Sequence, residues 1–125
     1  MNDSIKVLLV DDEEEFVTTL AERLEMRGFD PSIAISGDQA LFMVQDKAFD
    51  LIVLDLMMPG IGGLEVMKQI KSANPDMPII LLTGQGSTKE GMEGMNQGAF
   101  DFLMKPLDIE ELISQIHEAL GKTSA

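Results

Sequence analysis

Five short apolar runs, separated by stretches of helical periodicity, constrain this chain more than any other feature. Ile5 to Val10, Pro31 to Ile35, Leu51 to Leu54, Ile79 to Leu82 and Ala99 to Met104 are short segments bounded by turn residues, which predicts strands. Leu51 to Leu54 and Ile79 to Leu82 are apolar at every position, the pattern of strands buried on both faces. Between them, Glu13 to Arg27 places Phe16, Val17, Leu20, Ala21 and Leu24 at helical spacing, and Gly28 supplies a stop. A second helix begins at Ser36-Gly37-Asp38 and carries Ala40, Leu41 and Val44. A third follows Gly60-Ile61-Gly62-Gly63 and carries Leu64, Met67 and Ile70.

Ser87 to Gln97 reads as a weaker helix, because Gly91 and Gly94 each cost about 1 kcal/mol relative to Ala. The last helix opens on Asp108 and Glu111, a capping-box arrangement, and repeats Ile109, Leu112, Ile113, Ile116 and Leu120 on one face. Strand followed by helix, five times over, predicts an α/β fold: one doubly wound (βα)5 domain, a parallel sheet with right-handed crossovers and helices on both faces. No repeat or linker interrupts it. A single domain is expected over residues 1–125, with 121–125 as a short tail.

The charge balance narrows the function. Nine basic residues against 22 acidic ones give a net charge of −13. This argues against direct nucleic-acid binding, which needs a basic face. It suits a basic partner surface or a cation, with most of the acids solvating helix faces. With no cysteine, disulfides and thiolate metal sites are excluded. Met1 to Ser4 shows no signal-peptide pattern, and no apolar run approaches the roughly 20 residues of a membrane helix. A cytoplasmic location and no membrane partner are expected.

The chemistry collects at the strand ends. Taken alone, Asp55 before Leu-Met-Met-Pro-Gly is a turn residue or a reactive one. In a parallel sheet, however, Asp11 and Asp12 after the first strand, Asp55 after the third, Thr83 after the fourth and Lys105 after the fifth share one edge. Three converging carboxylates repel one another unless a cation joins them. A hard divalent ion such as Mg²⁺, which also takes phosphate oxygens, satisfies them. With an ammonium and a hydroxyl nearby, such a carboxylate can carry a phosphoryl group.

These residues, together with Gly98-Ala99-Phe100-Asp101-Phe102-Leu103-Met104-Lys105-Pro106, make the chain resemble the receiver domains of two-component response regulators over nearly its whole length. The resemblance implies a flavodoxin-like sheet in the order 2-1-3-4-5. It implies that Asp55 accepts a phosphoryl group from a sensor histidine kinase or a histidine phosphotransfer protein. Asp12, Asp55 and the Met57 carbonyl would hold Mg²⁺, with Asp11 assisting partly through water. Lys105 would contact the phosphoryl group, Thr83 would move to bond it, and Phe102 would change rotamer in response. The output face would be the fourth helix, fifth strand and fifth helix, read by an output partner or a fused output domain; phosphorylation-dependent dimerisation is a further expectation. Lys105-Pro106 would be cis. In these terms the protein is a phosphoacceptor that assists its own phosphorylation and dephosphorylation, and not an enzyme acting on other molecules.

The chain departs from the family pattern at a few positions. Gly62 stands where a side-chain cap is usual, at a cost of a few tenths of a kcal/mol. Gly84 after Thr83 leaves Asp55 open to small phosphodonors. Met57 and Gln85 occupy positions that tune dephosphorylation, and Met57 cannot hold an attacking water, so slow to moderate self-dephosphorylation is expected. Most of the ten Met are expected in the core, with Met92 and Met95 as the partner-facing exceptions, and His117 on an exposed face without a role.

Three rival readings fare less well. A haloacid-dehalogenase-type phosphatase needs a second acid where Met57 stands. A flavodoxin-like FMN carrier would be repelled by Asp11-Asp12-Glu13-Glu14-Glu15. A phosphorylation-independent docking module would have no use for the intact Asp11, Asp12, Asp55, Thr83 and Lys105.

Overall fold

In the computed structural model, which describes residues 4–84 and 88–121, strands and helices alternate without exception. The elements are β1 Lys6–Val10, α1 Glu14–Met26, β2 Asp30–Ala34, α2 Gly37–Asp46, β3 Leu51–Asp55, α3 Gly63–Ala73, β4 Ile79–Thr83, α4 Thr88–Asn96, β5 Asp101–Met104 and α5 Ile109–Ala119. All four strand pairings are parallel, in the order β2-β1-β3-β4-β5, as expected for the flavodoxin-like fold.

Because strand side chains alternate between faces, the sheet separates two cores. Val7, Leu9, Leu51, Val53, Ile80 and Leu82 pack with Val17, Leu20 and Leu24 of α1 and with Leu112 and Ile116 of α5. Leu8, Val10, Ile52, Leu54, Ile79 and Leu81 pack with Ala40 of α2 and with Val66, Met67 and Ile70 of α3. Both faces of the central strands are closed, which explains why β3 and β4 are apolar up to their last residues, Asp55 and Thr83: a polar side chain within either run would be buried without water.

Several boundaries differ from the sequence reading, each for a local reason. β2 lies one residue earlier than expected and contains Pro31, paired with Val7. As an edge strand it tolerates the missing N–H. β5 starts at Asp101 because the Ala99 amide donates to Gly94 O, closing the end of α4. Ser36 caps α2, accepting from the Gln39 amide at 3.1 Å. The capping box at α5 forms only in half: Asp108 accepts from the Glu110 amide at 2.9 Å, and the Glu111 side chain does not return the bond. Gly91 and Gly94 are the buried residues of α4, so they serve close packing against the sheet. Of the two methionines expected to face a partner, Met92 is exposed, whereas Met95 packs on the core. His117 is half-buried with its ring 5.9 Å from that of Phe29, not on an exposed face. Residues 122–125 of the expected tail lie outside the described residues.

Candidate functional site

Strand register brings the singled-out residues together. Val10 pairs with Leu54, so Asp11 and Asp55 follow side by side on adjacent strands. Asp55 pairs with Leu82 and Thr83 with Met104, which places Thr83 and Lys105 just beyond, on the same edge. The Lys105 amide donates to Thr83 O at 2.7 Å, holding the end of β5 against β4, and the Lys105-Pro106 bond is cis as expected.

The β3–α3 loop approaches this edge with little room to spare. A Cβ on Gly63 would lie 2.5 Å from the carbonyl oxygen of Asp55 and 2.7 Å from Leu56 Cα. Glycine there lets α3 begin directly against the backbone of Asp55, with the Gly63 amide donating to Leu56 O at 3.1 Å. Gly62, the residue before the helix, offers no side-chain cap.

The carboxylates of Asp11, Asp12 and Asp55 each present an oxygen within 4.8 Å of the others. Asp11 and Asp55 are buried, and Asp12 is partly exposed. Lys105 Nζ sits 2.8 Å from Asp11 Oδ2 and 3.7 Å from Asp55 Oδ2. The Asp11 contact is a close ion pair with a buried carboxylate. Burial, with the Asp11 charge second, pushes the Asp55 carboxyl up to about 6, while Lys105 and the Met57 amide oppose the rise. That amide donates to Asp55 Oδ1 at 3.2 Å. Burial alone would lower the Lys105 pKa; its contacts with Asp11 and Glu13 outweigh that and hold it raised, so the ammonium stays charged.

A divalent cation fits this set. Two buried carboxylates at close range, one of them pushed toward protonation, are relieved by a hard cation with oxygen ligands. Met57 has its backbone in the site through the bond to Asp55, while its side chain points to solvent at 57% exposure.

Thr83 is fully buried, and its hydroxyl is without a hydrogen-bond partner among the described residues. Native proteins seldom leave such a group unpaired. Thr83 shares the α4 side of the sheet with Leu81, and Phe102 pairs with Leu81 on β5. The Phe102 ring is half-buried and lies over Gly91. Among the described residues, no atom would lie within 4 Å of a Cβ on Gly84. Gln85 lies outside the described residues.

Three residues escaped the sequence reading. Glu13 binds Lys105 Nζ at 2.6 Å through Oε1, and the Phe16 ring lies under the same ammonium, 4.5 Å away at its centroid. Gly63 was read only as loop. The signal for Glu13 was its adjacency to Asp11 and Asp12, which a run of five acids obscured.

Comparison with known proteins agrees with this geometry. Residues 7–117 match the family model described as the response regulator receiver domain. The transcriptional regulatory protein ZraR of Escherichia coli K12 is 36% identical over 122 residues, 98% of this chain and 28% of that protein. The response regulator MprA of Mycobacterium bovis is 38% identical over 120 residues, 96% of this chain and 52% of that protein. The chain therefore spans about half or less of these relatives. A receiver domain protein from Clostridium thermocellum superposes with a TM-score of 0.90 at 29% identity, covering 94% of both chains. The receiver domain of the Francisella response regulator 1452 does so at 0.87 and 33%, covering 94% of this chain and 98% of that one. A sheet edge carrying Asp11, Asp12, Asp55, Thr83 and Lys105, on a chain matched across almost its full length, makes this protein a member of the response regulator receiver domain family.

Proposed function

We propose that the chain is a phosphorylation-controlled switch in which Asp55 is the phosphoacceptor. A carboxylate oxygen of Asp55 attacks the phosphorus of a phosphohistidine on a sensor kinase or phosphotransfer protein. The P–N bond breaks, and the departing imidazole takes up a proton. The observation that carries this reading is the buried Thr83 hydroxyl, without a hydrogen-bond partner among the described residues, at the same edge as Asp55 and Lys105. It is a donor held in reserve for a group that arrives later.

Asp12, Asp55 and the Met57 carbonyl would hold Mg²⁺, with Asp11 assisting. A Mg²⁺ ion held there would supply charge neutralisation for the carboxylates and for the phosphoryl group. Lys105, 3.7 Å from Asp55 Oδ2, supplies the remaining positive charge. Phosphorylation adds roughly −1.5 to −2 charge, which draws Lys105 and the Thr83 hydroxyl toward Asp55. Movement of Thr83 vacates space on the α4 side, and Phe102 follows it inward. The result is a population shift in α4, β5 and α5.

What reads that face is an output partner or a segment fused to the receiver, as the partial coverage of ZraR and MprA suggests. Amide exchange with acetyl phosphate and Mg²⁺ tests the switch. Protection in α4, β5 and α5 should change for the wild type and not for Asp55→Ala. Identical exchange in both proteins would defeat it.

A further inference from the structure

Lys105 is held away from Asp55 by a residue with no place in the scheme above. Its ammonium lies 2.6 Å from Glu13 Oε1 but 3.7 Å from Asp55 Oδ2. The ring of Phe16, one turn further along, faces the same ammonium. The start of α1, together with the Asp11 carboxylate 2.8 Å from Nζ, thus holds the lysine about 1 Å short of hydrogen-bond range of the phosphoacceptor. The Glu13 side chain makes no capping bond to α1, and the residue's other contact in the site is its backbone amide, which donates to Asp11 Oδ1 at 2.9 Å and is kept in any side-chain variant. Its side chain is 62% exposed, so the ion pair is weak and easily exchanged.

We propose that Glu13 is a positioning residue for Lys105, a latch that parks the ammonium until a phosphoryl group on Asp55 outcompetes it. A carboxylate carries one charge and the phosphoryl group up to two. The lysine therefore transfers only when the phosphoryl group is present, and Glu13 slows its arrival. The inference rests on the phosphoacceptor reading of Asp55 but can fail separately from it.

The test compares Glu13→Gln with Glu14→Gln, which removes a neighbouring charge that makes no contact with Lys105. With acetyl phosphate at saturating Mg²⁺, Glu13→Gln should form the adduct about two- to five-fold faster, the range a surface ion pair supports. Glu14→Gln should change the rate less. In a Lys105→Ala background the effect of Glu13→Gln should vanish, since the two residues act as a pair.

A Mg²⁺ titration gives a readout that needs no phosphoryl transfer. Glu13 shares the ammonium with Asp11; without Glu13 the ammonium is left to Asp11 and Asp55 alone, so Mg²⁺ should bind about two- to five-fold more weakly to Glu13→Gln, again only when Lys105 is present. Equal effects from Glu13→Gln and Glu14→Gln, or a Glu13→Gln effect that survives in Lys105→Ala, would overturn the latch. So would slower phosphorylation of Glu13→Gln. If the wild type takes no phosphoryl group, the phosphoacceptor reading fails, and the Mg²⁺ titration still decides the latch.

Discussion

The ring of Phe102 occupies the space that a side chain on Gly91 would need: a Cβ there would lie 2.9 Å from Cδ2 and 3.0 Å from Cγ. The helix and the aromatic of β5 are therefore in direct contact through a glycine. The second glycine of α4 meets a different neighbour, because a Cβ on Gly94 would collide with Leu81 Cδ1, which is fully buried.

The two glycines should respond differently to alanine. Both substitutions gain about 1 kcal/mol of helix propensity. At Gly91 the half-buried Phe102 ring can swing aside, so Gly91→Ala should stay within about 0.5 kcal/mol of the wild type while displacing the ring. At Gly94 the obstacle lies in the core, and overpacking costs about 1–3 kcal/mol. Gly94→Ala should therefore lose up to about 2 kcal/mol net, read from urea unfolding midpoints, and Gly91→Ala should show altered Phe102 ring resonances. Equal losses from both would contradict this account.

Gly63 makes a sharper case. Its neighbours are backbone atoms of Asp55 and Leu56, which cannot rotate out of the way. Gly63→Ala should destabilise the protein by about 3 kcal/mol, at the upper end for overpacking, and weaken Mg²⁺ binding by displacing Asp55. Gly62→Ala, whose Cβ would come no closer than 4.0 Å to Leu56 O, should leave Mg²⁺ binding unchanged and cost about 1 kcal/mol at most, the difference between Gly and Ala at a helix N-cap. Denaturation and Mg²⁺ titration of the pair check both points.

Thr83 carries a buried hydroxyl without a partner among the described residues. Replacing it by Val keeps the shape and removes an unsatisfied polar group, which should stabilise the unphosphorylated protein by about 1 kcal/mol. The same change removes the donor intended for the phosphoryl group, so the amide-exchange response of α4 and β5 should disappear. Thr83→Ser should keep the response. A destabilised Thr83→Val protein that still switches would refute the role given to this hydroxyl.

Legibility from sequence followed the range of the interactions involved. Strands β3 and β4 were plain because burial on both faces leaves no polar position, and Asp55 and Thr83 stand out as the residues that break each run. The convergence of Asp11, Asp55 and Lys105 could be anticipated because a parallel sheet sends all its carboxyl ends to one edge. Glu13 was not visible, since its partner is 92 residues away and the run of acids around it looks like solvated surface. The glycines of α4 were read through helix propensity, a local quantity, whereas their role depends on what β4 and β5 press against them. Gly63 was missed for the same reason. His117 and Met95 were misplaced on exposed faces because their neighbours, Phe29 and the core under α4, come from distant parts of the chain.

Acidity of Asp55 predicts how stability depends on pH in the absence of Mg²⁺. Its carboxyl is raised from 3.8 to about 6 by burial and by Asp11. Between these values the folded protein holds a proton that the unfolded chain has released, so stability falls as pH rises from about 4 to about 6 and then levels off. At 1.36 kcal/mol per pKa unit the loss is at most about 3 kcal/mol. Asp55→Asn should flatten this slope, and Mg²⁺ at neutral pH should restore the stability lost by the wild type. Denaturant midpoints at several pH values check it, and a wild-type profile that rises across this window would run against the predicted sign.

Whether Asp55 accepts a phosphoryl group is most directly decided by intact mass after incubation with acetyl phosphate and Mg²⁺. A single phosphoryl adduct on the wild type, absent from Asp55→Ala, is the result the structure predicts. An unmodified wild type, or an adduct that persists in Asp55→Ala, would contradict it.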